Sequence, residues 1–341
     1  MEMMDSRKAL LHAWLPSQLA QTYATLGWGE VGSGELSAAS ADASFRRYFR
    51  WVDGSRSIIV MDAPPEQEDS APFVRIAALL AEAGVRTPQI YSADLQKGFL
   101  LLEDMGASTY LQSIQQGIDA ASIEQLYATA ITTLVRWQQA SRPGILADYD
   151  ETILRRELQL FPDWYVSRHL QRQFSSAEEQ DWQTLCRLVL DSNLAEPQVF
   201  VHRDYMPRNL MTADGEPGVL DFQDALYGPL SYDVTSLLAD AFFTLPLSQR
   251  EAWLERYWQQ AREVGLPMPA DFQTFRAQSR LMGVQRHLKV LGIFARINYR
   301  DGKGHYLSDT PRFVGYLREA CAQDHRLAPL ERLLDSLGLY A

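Results

Sequence analysis

Gln198-Val199-Phe200-Val201-His202-Arg203-Asp204-Tyr205-Met206-Pro207-Arg208-Asn209-Leu210-Met211 is a short apolar run that delivers a His-x-Asp onto a loop, with Asn209 five positions after Asp204. Gly218-Val219-Leu220-Asp221-Phe222-Gln223-Asp224 follows, and then Gly228-Pro229-Leu230-Ser231-Tyr232-Asp233. Leu210 to Thr212 and Val219 to Leu220 read as short strands flanking Ala213-Asp214-Gly215, and Asp-Gly is a strong hairpin signal. Such a hairpin would carry Asp221 back beside Asn209, so that Asp204, Asn209 and Asp221 offer three oxygen donors at one strand end.

Phosphoryl transfer needs this kind of set. One carboxylate orients or accepts the proton of the attacking hydroxyl, while a carboxylate and an amide hold Mg²⁺ on the nucleotide phosphates. Mg²⁺ takes few protein ligands and keeps waters and phosphate oxygens, so Asn209 plus Asp221 is a sensible count. His-Arg-Asp-x-x-x-x-Asn followed by Asp-Phe is the pattern of protein kinases. Two features depart from it: Gln223 stands where that pattern has Gly, and no Ala-Pro-Glu follows. The plainer reading is a structural hairpin whose Asp and Asn side chains cap turns, but it leaves the joint occurrence of both spacings unexplained.

The stretch resembles the aminoglycoside phosphotransferase and choline kinase family, whose loop usually reads His-Gly-Asp-x-x-x-x-Asn, with a Val/Ile-x-Asp-Phe/Trp strand and a further Asp that buttresses the loop. Asp204, Asn209, Asp221 and Asp233 match those positions, and the resemblance extends from Asp42 to about Arg312. Within the family, His202-Arg203-Asp204-Tyr205, Arg208-Asn209-Leu210-Met211 and Leu220-Asp221-Phe222-Gln223-Asp224-Ala225 are most similar to the anomeric amino-sugar kinases of bacterial cell-wall recycling. Those enzymes phosphorylate N-acetylmuramate and N-acetylglucosamine at C1.

The resemblance implies an α+β, protein-kinase-like two-lobe fold. A small antiparallel-sheet lobe would span residues 1–105 and a larger, mainly helical lobe residues 106–341. It implies ATP and Mg²⁺ as cofactors, Asp204 as the catalytic base, Asn209 and Asp221 as metal ligands, and His202 and Asp233 as supports of the loop. On the acceptor side, Arg208 would contact the transferred phosphoryl or the substrate anion, Asp224 a second Mg²⁺ or a sugar hydroxyl, and Glu157 and Trp164 the sugar; the plainer reading of the last two is a solvated acid and a core tryptophan.

Composition bounds the alternatives. The chain has 341 residues, 46% of them hydrophobic, which suits two packed lobes better than one. A formal charge of −11, from 43 acidic and 32 basic residues, argues against nucleic acid or an anionic membrane as partner. The two cysteines, Cys186 and Cys321, have neither disulfide-scaffold nor zinc spacing. The first residues lack an apolar leader core, and no run reaches the roughly 18 apolar residues of a membrane span. The expectation is a soluble cytoplasmic protein acting on a small molecule; its oligomeric state stays open.

Before the loop, residues 5 to 27 read as two short helices split by Pro16, with Ser17 as a cap and Gly27 as the stop. Gly27-Trp28-Gly29-Glu30-Val31-Gly32 formally matches Gly-x-Gly-x-x-Gly, but no strand precedes it and no helix follows, so it reads as a connector. Strands are expected from Glu35 to Met61, turning at Asp53-Gly54. The small-residue loop Ser40 to Phe45 would roof the triphosphate, with Ser44, Phe45 and Arg46 touching the nucleotide. The family's third strand ends in a phosphate-binding lysine, and Met61 stands there. Only Lys8, Lys97, Lys289 and Lys303 exist in the chain, so a cationic clamp in this lobe would be Arg46 or Arg47.

Pro72 to Gly84 reads as a helix burying Phe73, Ile76, Ala77 and Leu80. Strands near 89–92 and 98–103 lead to Leu100-Leu101-Leu102-Glu103, which by itself reads equally as a buried edge-to-loop transition; the resemblance implies an inter-lobe hinge there, with main-chain groups of Glu103 and Met105 meeting adenine. Helices are expected at 122–139, 152–170 and 177–190, with Glu157 and Trp164 seven apart on one face. Trp253, Tyr257 and Trp258 lie at core spacing, and the basic end around Arg296 to Lys303 reads as a solvated helix terminus. Two other classes stay open: an aminoglycoside or choline kinase, with an acidic pocket or an aromatic cage, and a nucleotide-binding pseudokinase lacking the lysine.

Overall fold

A computed structural model describes residues 2–40, 45–213 and 215–340 of the chain. Contacts divide it into two compact units, Met1–Ser108 with Met211–Gln223, and Thr109–Leu210 with Asp224–Ala341. The sequence placed a single boundary near residue 105 and put the Asp221 hairpin with the second part; its packing groups that hairpin with the first. There, Val219 donates its backbone N–H to Arg86 O at 2.8 Å, and Phe222 lies on Phe73 at 4.7 Å between ring centroids.

The first unit is built on a five-stranded antiparallel sheet, β1 (Glu35–Ser40), β2 (Arg47–Asp53), β3 (Arg56–Asp62), β4 (Ile90–Asp94) and β5 (Phe99–Glu103), in the order β1-β2-β3-β5-β4. Strand alternation puts Ile58, Val60, Phe99 and Leu101 on one face, where helix α1 (Glu2–Thr25) covers them with Leu11, Trp14, Leu15, Leu19 and Tyr23. Contrary to the expected break, α1 runs unbroken through Pro16. An interior proline costs about 3 kcal/mol, while each fully buried large apolar side chain contributes roughly 1.5–3 kcal/mol. Five such side chains on one face outweigh the defect. Ser17, expected as a cap, hydrogen-bonds back to Trp14 O at 3.1 Å, and Gly27 ends the turn at φ +68°.

Helix α2 (Ala71–Glu82) buries Phe73, Ile76, Ala77 and Leu80, the four residues its periodicity selects. The segment Met211–Gln223 is the expected hairpin, with Gly218–Val219 as its returning strand and Gly215 at φ +86° in the turn; Asp214 lies outside the described residues.

The second unit is mainly helical. Helices α3 (Tyr110–Gln115), α4 (Ala120–Gln139), α5 (Glu151–Leu158) and α6 (Ser176–Leu194) precede strand β6 (Gln198–Val201), which pairs antiparallel with β7 (Leu226–Pro229). Then come α7 (Tyr232–Leu238), α8 (Leu247–Glu263), α9 (Phe272–Asp301), α10 (Thr310–Gln323) and α11 (Ala328–Ser336). Ser175 and Glu178 form a capping box at the start of α6.

The single helix expected over 152–170 does not form. Helix α5 stops at Leu158, and Phe161–His169 winds as a π-helix, so seven-residue spacing no longer puts Glu157 and Trp164 on one face. Helix α9 is the axis of this unit and is buried almost all round from Leu281 to Leu291. Gly292 lets it approach closely, because a Cβ there would run into the Leu160 carbonyl. Among the described residues no helix is long and apolar enough to cross a membrane.

Candidate active site

In the second unit, β6 ends at Val201 and the chain turns through His202, Arg203 and Asp204. Asp233, in the first turn of α7, is fully buried and accepts both loop amides, His202 N–H on Oδ2 at 2.6 Å and Arg203 N–H on Oδ1 at 3.0 Å. Burial pushes its carboxyl up to about 7 against those two donors, and the neighbouring Asp204 charge adds to the rise.

The buried His202 imidazole accepts the Asp204 N–H on Nδ1 at 3.2 Å, which places the proton of the neutral ring on Nε2. On the other side, Asn209 Nδ2 donates to Asp204 O at 2.9 Å. Pro207–Asn209 is a 3-10 turn closed by Asn209 N–H on Met206 O at 2.9 Å. Tyr205 anchors the loop to α4 through its hydroxyl on Ala130 O at 2.8 Å. The Asp204 main chain is therefore bonded at both its N–H and its C=O, while its side chain remains half-exposed.

Glu157, expected at the acceptor surface, is not presented to solvent. It is 4% exposed and receives Arg203 Nη2 on Oε1 at 2.6 Å, Lys289 Nζ on Oε1 at 3.1 Å, Gln285 Nε2 on Oε2 at 3.1 Å and the Tyr149 hydroxyl on Oε2. Burial alone would raise its pKa, but Lys289 and Arg203 outweigh that and hold the carboxyl down at about 2. Four donors leave a carboxylate little capacity for a sugar hydroxyl.

Sequence reasoning missed Arg203, Lys289, Gln285 and Tyr149 as a cluster. One signal was available: Gln285 and Lys289 are four apart in a helix and share a face. Arg208 lies over the Phe242 ring at 5.0 Å, Trp164 is half-buried on the π-helix, and Asp224 is exposed.

In the first unit Asp221 is exposed at φ +60°, a conformation that Asp tolerates better than most residues. Gln223, the substituted glycine of the Asp-Phe-Gly pattern, donates to Asp221 Oδ1 at 2.8 Å and so orients that carboxylate. Ser44 lies outside the described residues, and Phe45 is 61% exposed. Both arginines considered for the missing lysine are ion-paired: Arg46 with Glu68 at 3.0 Å, and Arg47 with the buried Asp62, which also receives Arg7. Met61 itself is fully buried. At the expected hinge, Glu103 N–H is bonded to Gln89 O at 2.8 Å, and Met105 packs under Gly218.

A five-stranded antiparallel sheet, a mainly helical second unit, and a His-x-Asp loop braced by a buried aspartate define a phosphotransferase of protein-kinase-like fold. Residues 35–266 match the model of the phosphotransferase enzyme family. The chain belongs to that family. It is 53% identical over 333 residues to the N-acetylmuramate/N-acetylglucosamine kinase of Pseudomonas aeruginosa, covering 98% of this chain and 97% of that protein.

Among solved structures, it resembles a choline kinase from Cryptosporidium parvum with TM-score 0.58, 13% identity and coverage of 89% and 94% of the two chains. It also resembles the ADP-bound aminoglycoside phosphotransferase APH(2'')-Ib, with TM-score 0.55, 14% identity and coverage of 87% and 97%. At such identities these likenesses speak for the fold alone.

Proposed function

We propose that the protein transfers the γ-phosphoryl group of ATP to the anomeric C1 hydroxyl of N-acetylmuramate or N-acetylglucosamine, in bacterial peptidoglycan recycling in the cytoplasm. The acceptor is inferred from one observation, the 53% identity to a kinase named for those two sugars across almost the full length of both chains.

Asp204 is the base in this reading. It orients the C1 hydroxyl and takes its proton as the oxygen bonds to the γ-phosphorus; the bond from that phosphorus to the bridging oxygen breaks, and ADP leaves. An anomeric hydroxyl is more acidic than an ordinary alcohol, so one carboxylate suffices. Asn209 and Asp221 would hold Mg²⁺, and their chemistry fits: both offer hard oxygen donors, and Mg²⁺ takes few from protein. With Asn209 Nδ2 spent on the Asp204 carbonyl, Oδ1 is the atom for the ion. When bound, Mg²⁺ neutralises charge developing on the phosphate oxygens.

Phe45, Arg46 and the main chain of Glu103 and Met105 are assigned to the nucleotide. Arg208, Asp224 and Trp164 are assigned to the acceptor, and His202 and Asp233 hold the loop.

An ADP-release assay with N-acetylmuramate, N-acetylglucosamine, choline and kanamycin tests the proposal. Turnover with the two sugars alone is expected. Turnover with choline or kanamycin alone would reassign the acceptor, and ATP binding without turnover on any of the four would make this a binding module.

A further inference from the structure

The residue before Asp204 is held in a conformation that an arginine avoids. Arg203 has φ +76°, in the left-handed region that suits glycine. Asp221 and Gln171 are the other non-glycine residues with positive φ among those described. Asp can satisfy that region through local hydrogen bonds of its short side chain, whereas Arg has no such means. A glycine would sit at position 203 without strain, so the side chain must return something.

That return is an anchor. The Arg203 guanidinium reaches Glu157 on α5, at 2.6 Å from Nη2 to Oε1. It lies 5.4 Å over the Tyr149 ring, and the Tyr149 hydroxyl closes on the other Glu157 oxygen. Nη1 meets the Asp224 carbonyl at 3.4 Å. The backbone N–H of the same residue is taken by Asp233 Oδ1 at 3.0 Å. Glu157 is itself fixed from α9 by Gln285 and Lys289. Position 203 is thus held by its backbone to α7 and by its guanidinium to Glu157 on α5, which α9 fixes in turn, one peptide unit before the Asp204 side chain.

We infer that Arg203 is a positioning residue: its ion pair with buried Glu157 holds the strained peptide that aims the Asp204 carboxylate. The inference rests on Asp204 being the catalytic base. It predicts that loss of the anchor acts on the chemical step rather than on folding or nucleotide affinity, since a misplacement of about 1 Å can cost roughly 100-fold in rate.

The test is steady-state kinetics on the full chain with N-acetylmuramate and ATP, paired with thermal melts, for Arg203→Gly, Arg203→Lys, Glu157→Gln, the Arg203→Gly/Glu157→Gln double variant and Asp204→Asn. Arg203→Gly relieves the backbone, so its melting temperature is expected within a few degrees of the parent. Its kcat is expected to fall about 10- to 100-fold with KM for ATP within threefold. Arg203→Lys is expected to recover part of that loss. Because both side chains act through one contact, adding Glu157→Gln to Arg203→Gly should lower kcat less than twofold further.

Arg203→Gly at the parental kcat, or a double variant whose losses multiply, overturns the inference while leaving Asp204 as base. Asp204→Asn at the parental rate overturns both. If Glu157→Gln does not fold, the Gly and Lys variants at 203 still decide.

Discussion

Asp233 Oδ2 lies 2.6 Å from the backbone nitrogen of His202, and its other oxygen takes the next amide along the chain. A fully buried carboxylate thus serves as acceptor for two adjacent N–H groups of the His-x-Asp loop. The His202 N–H is buried with its partner and the Arg203 N–H partly so, and a buried polar group left unpaired costs roughly 1–3 kcal/mol.

Asp233→Asn should therefore be worse than its isosteric shape suggests. The amide keeps one acceptor oxygen and turns NH₂ hydrogens towards the other backbone N–H. We expect roughly 1–3 kcal/mol lost in a urea melt and a fall in kcat of more than 10-fold. A variant with parental stability and rate would show that the loop does not depend on this brace.

Two buried glutamates should give opposite pH signatures. Glu157 is held at about 2, because Lys289 and Arg203 outweigh its burial, whereas an unfolded glutamate titrates near about 4.3. Between those values the folded state binds fewer protons than the unfolded one, so this stabilisation is complete above about 4.3 and fades as pH falls towards 2. Urea midpoints of parent and Glu157→Gln should converge on acidification through that window. A constant gap would mean that the carboxyl is not held ionised.

Glu196 runs the other way. It is buried, accepts Ser231 N–H at 2.9 Å and Ser231 Oγ–H at 2.8 Å, and burial pushes it up to about 7. The folded state keeps a proton that the unfolded chain releases from about 4.3 upwards, so the parent should lose stability relative to Glu196→Gln as pH rises to about 7. Midpoints that move together across this range would contradict the assignment.

Asp62 gathers Arg7 and Arg47 at the end of β3, beside the position where the family carries lysine. It is fully buried, but the arginine side chains are 15% and 28% exposed and can turn to water once the carboxylate is gone. Asp62→Asn should therefore cost about 2 kcal/mol, less than the roughly 3–5 kcal/mol of breaking a fully buried pair. Denaturant unfolding measures it; a loss above about 5 kcal/mol would show that the arginines cannot rehydrate.

What the sequence revealed follows physical range. Helix α2 was legible to the residue, because Phe73, Ile76, Ala77 and Leu80 repeat with the helical period and bury one face. The shape of the loop was legible because Asp204, Asn209 and Asp233 keep fixed spacings, and Asp233 and Asn209 both bond to it. Pro16 misled, since local propensity cannot see the sheet face that holds α1 together. The π-helix at Phe161–His169 was hidden for the same reason, and with it the true place of Glu157. Nothing local to Glu157 distinguishes an acceptor-facing acid from a buried ion-pair acid, because its four partners come from residues 8, 46, 128 and 132 positions away. The role of Gln223 was invisible too: a substituted glycine gives no hint that its amide will hold Asp221.

The metal assignment has its own check. With Asn209 and Asp221 as ligands, chelation should abolish turnover and Mg²⁺ restore it. Asp221→Asn should raise the Mg²⁺ concentration for half-maximal rate by about 10-fold or more, as loss of a charged ligand weakens a hard-cation site. An unchanged Mg²⁺ requirement would remove Asp221 from the metal site.

Phosphorus NMR of the product formed from ATP and N-acetylmuramate decides whether the phosphoryl group goes to the anomeric oxygen. A sugar 1-phosphate, with its phosphorus coupled to the single anomeric proton, is the predicted result. A 6-phosphate, coupled to the two protons of the exocyclic carbon, or the absence of any phosphorylated sugar, would contradict it.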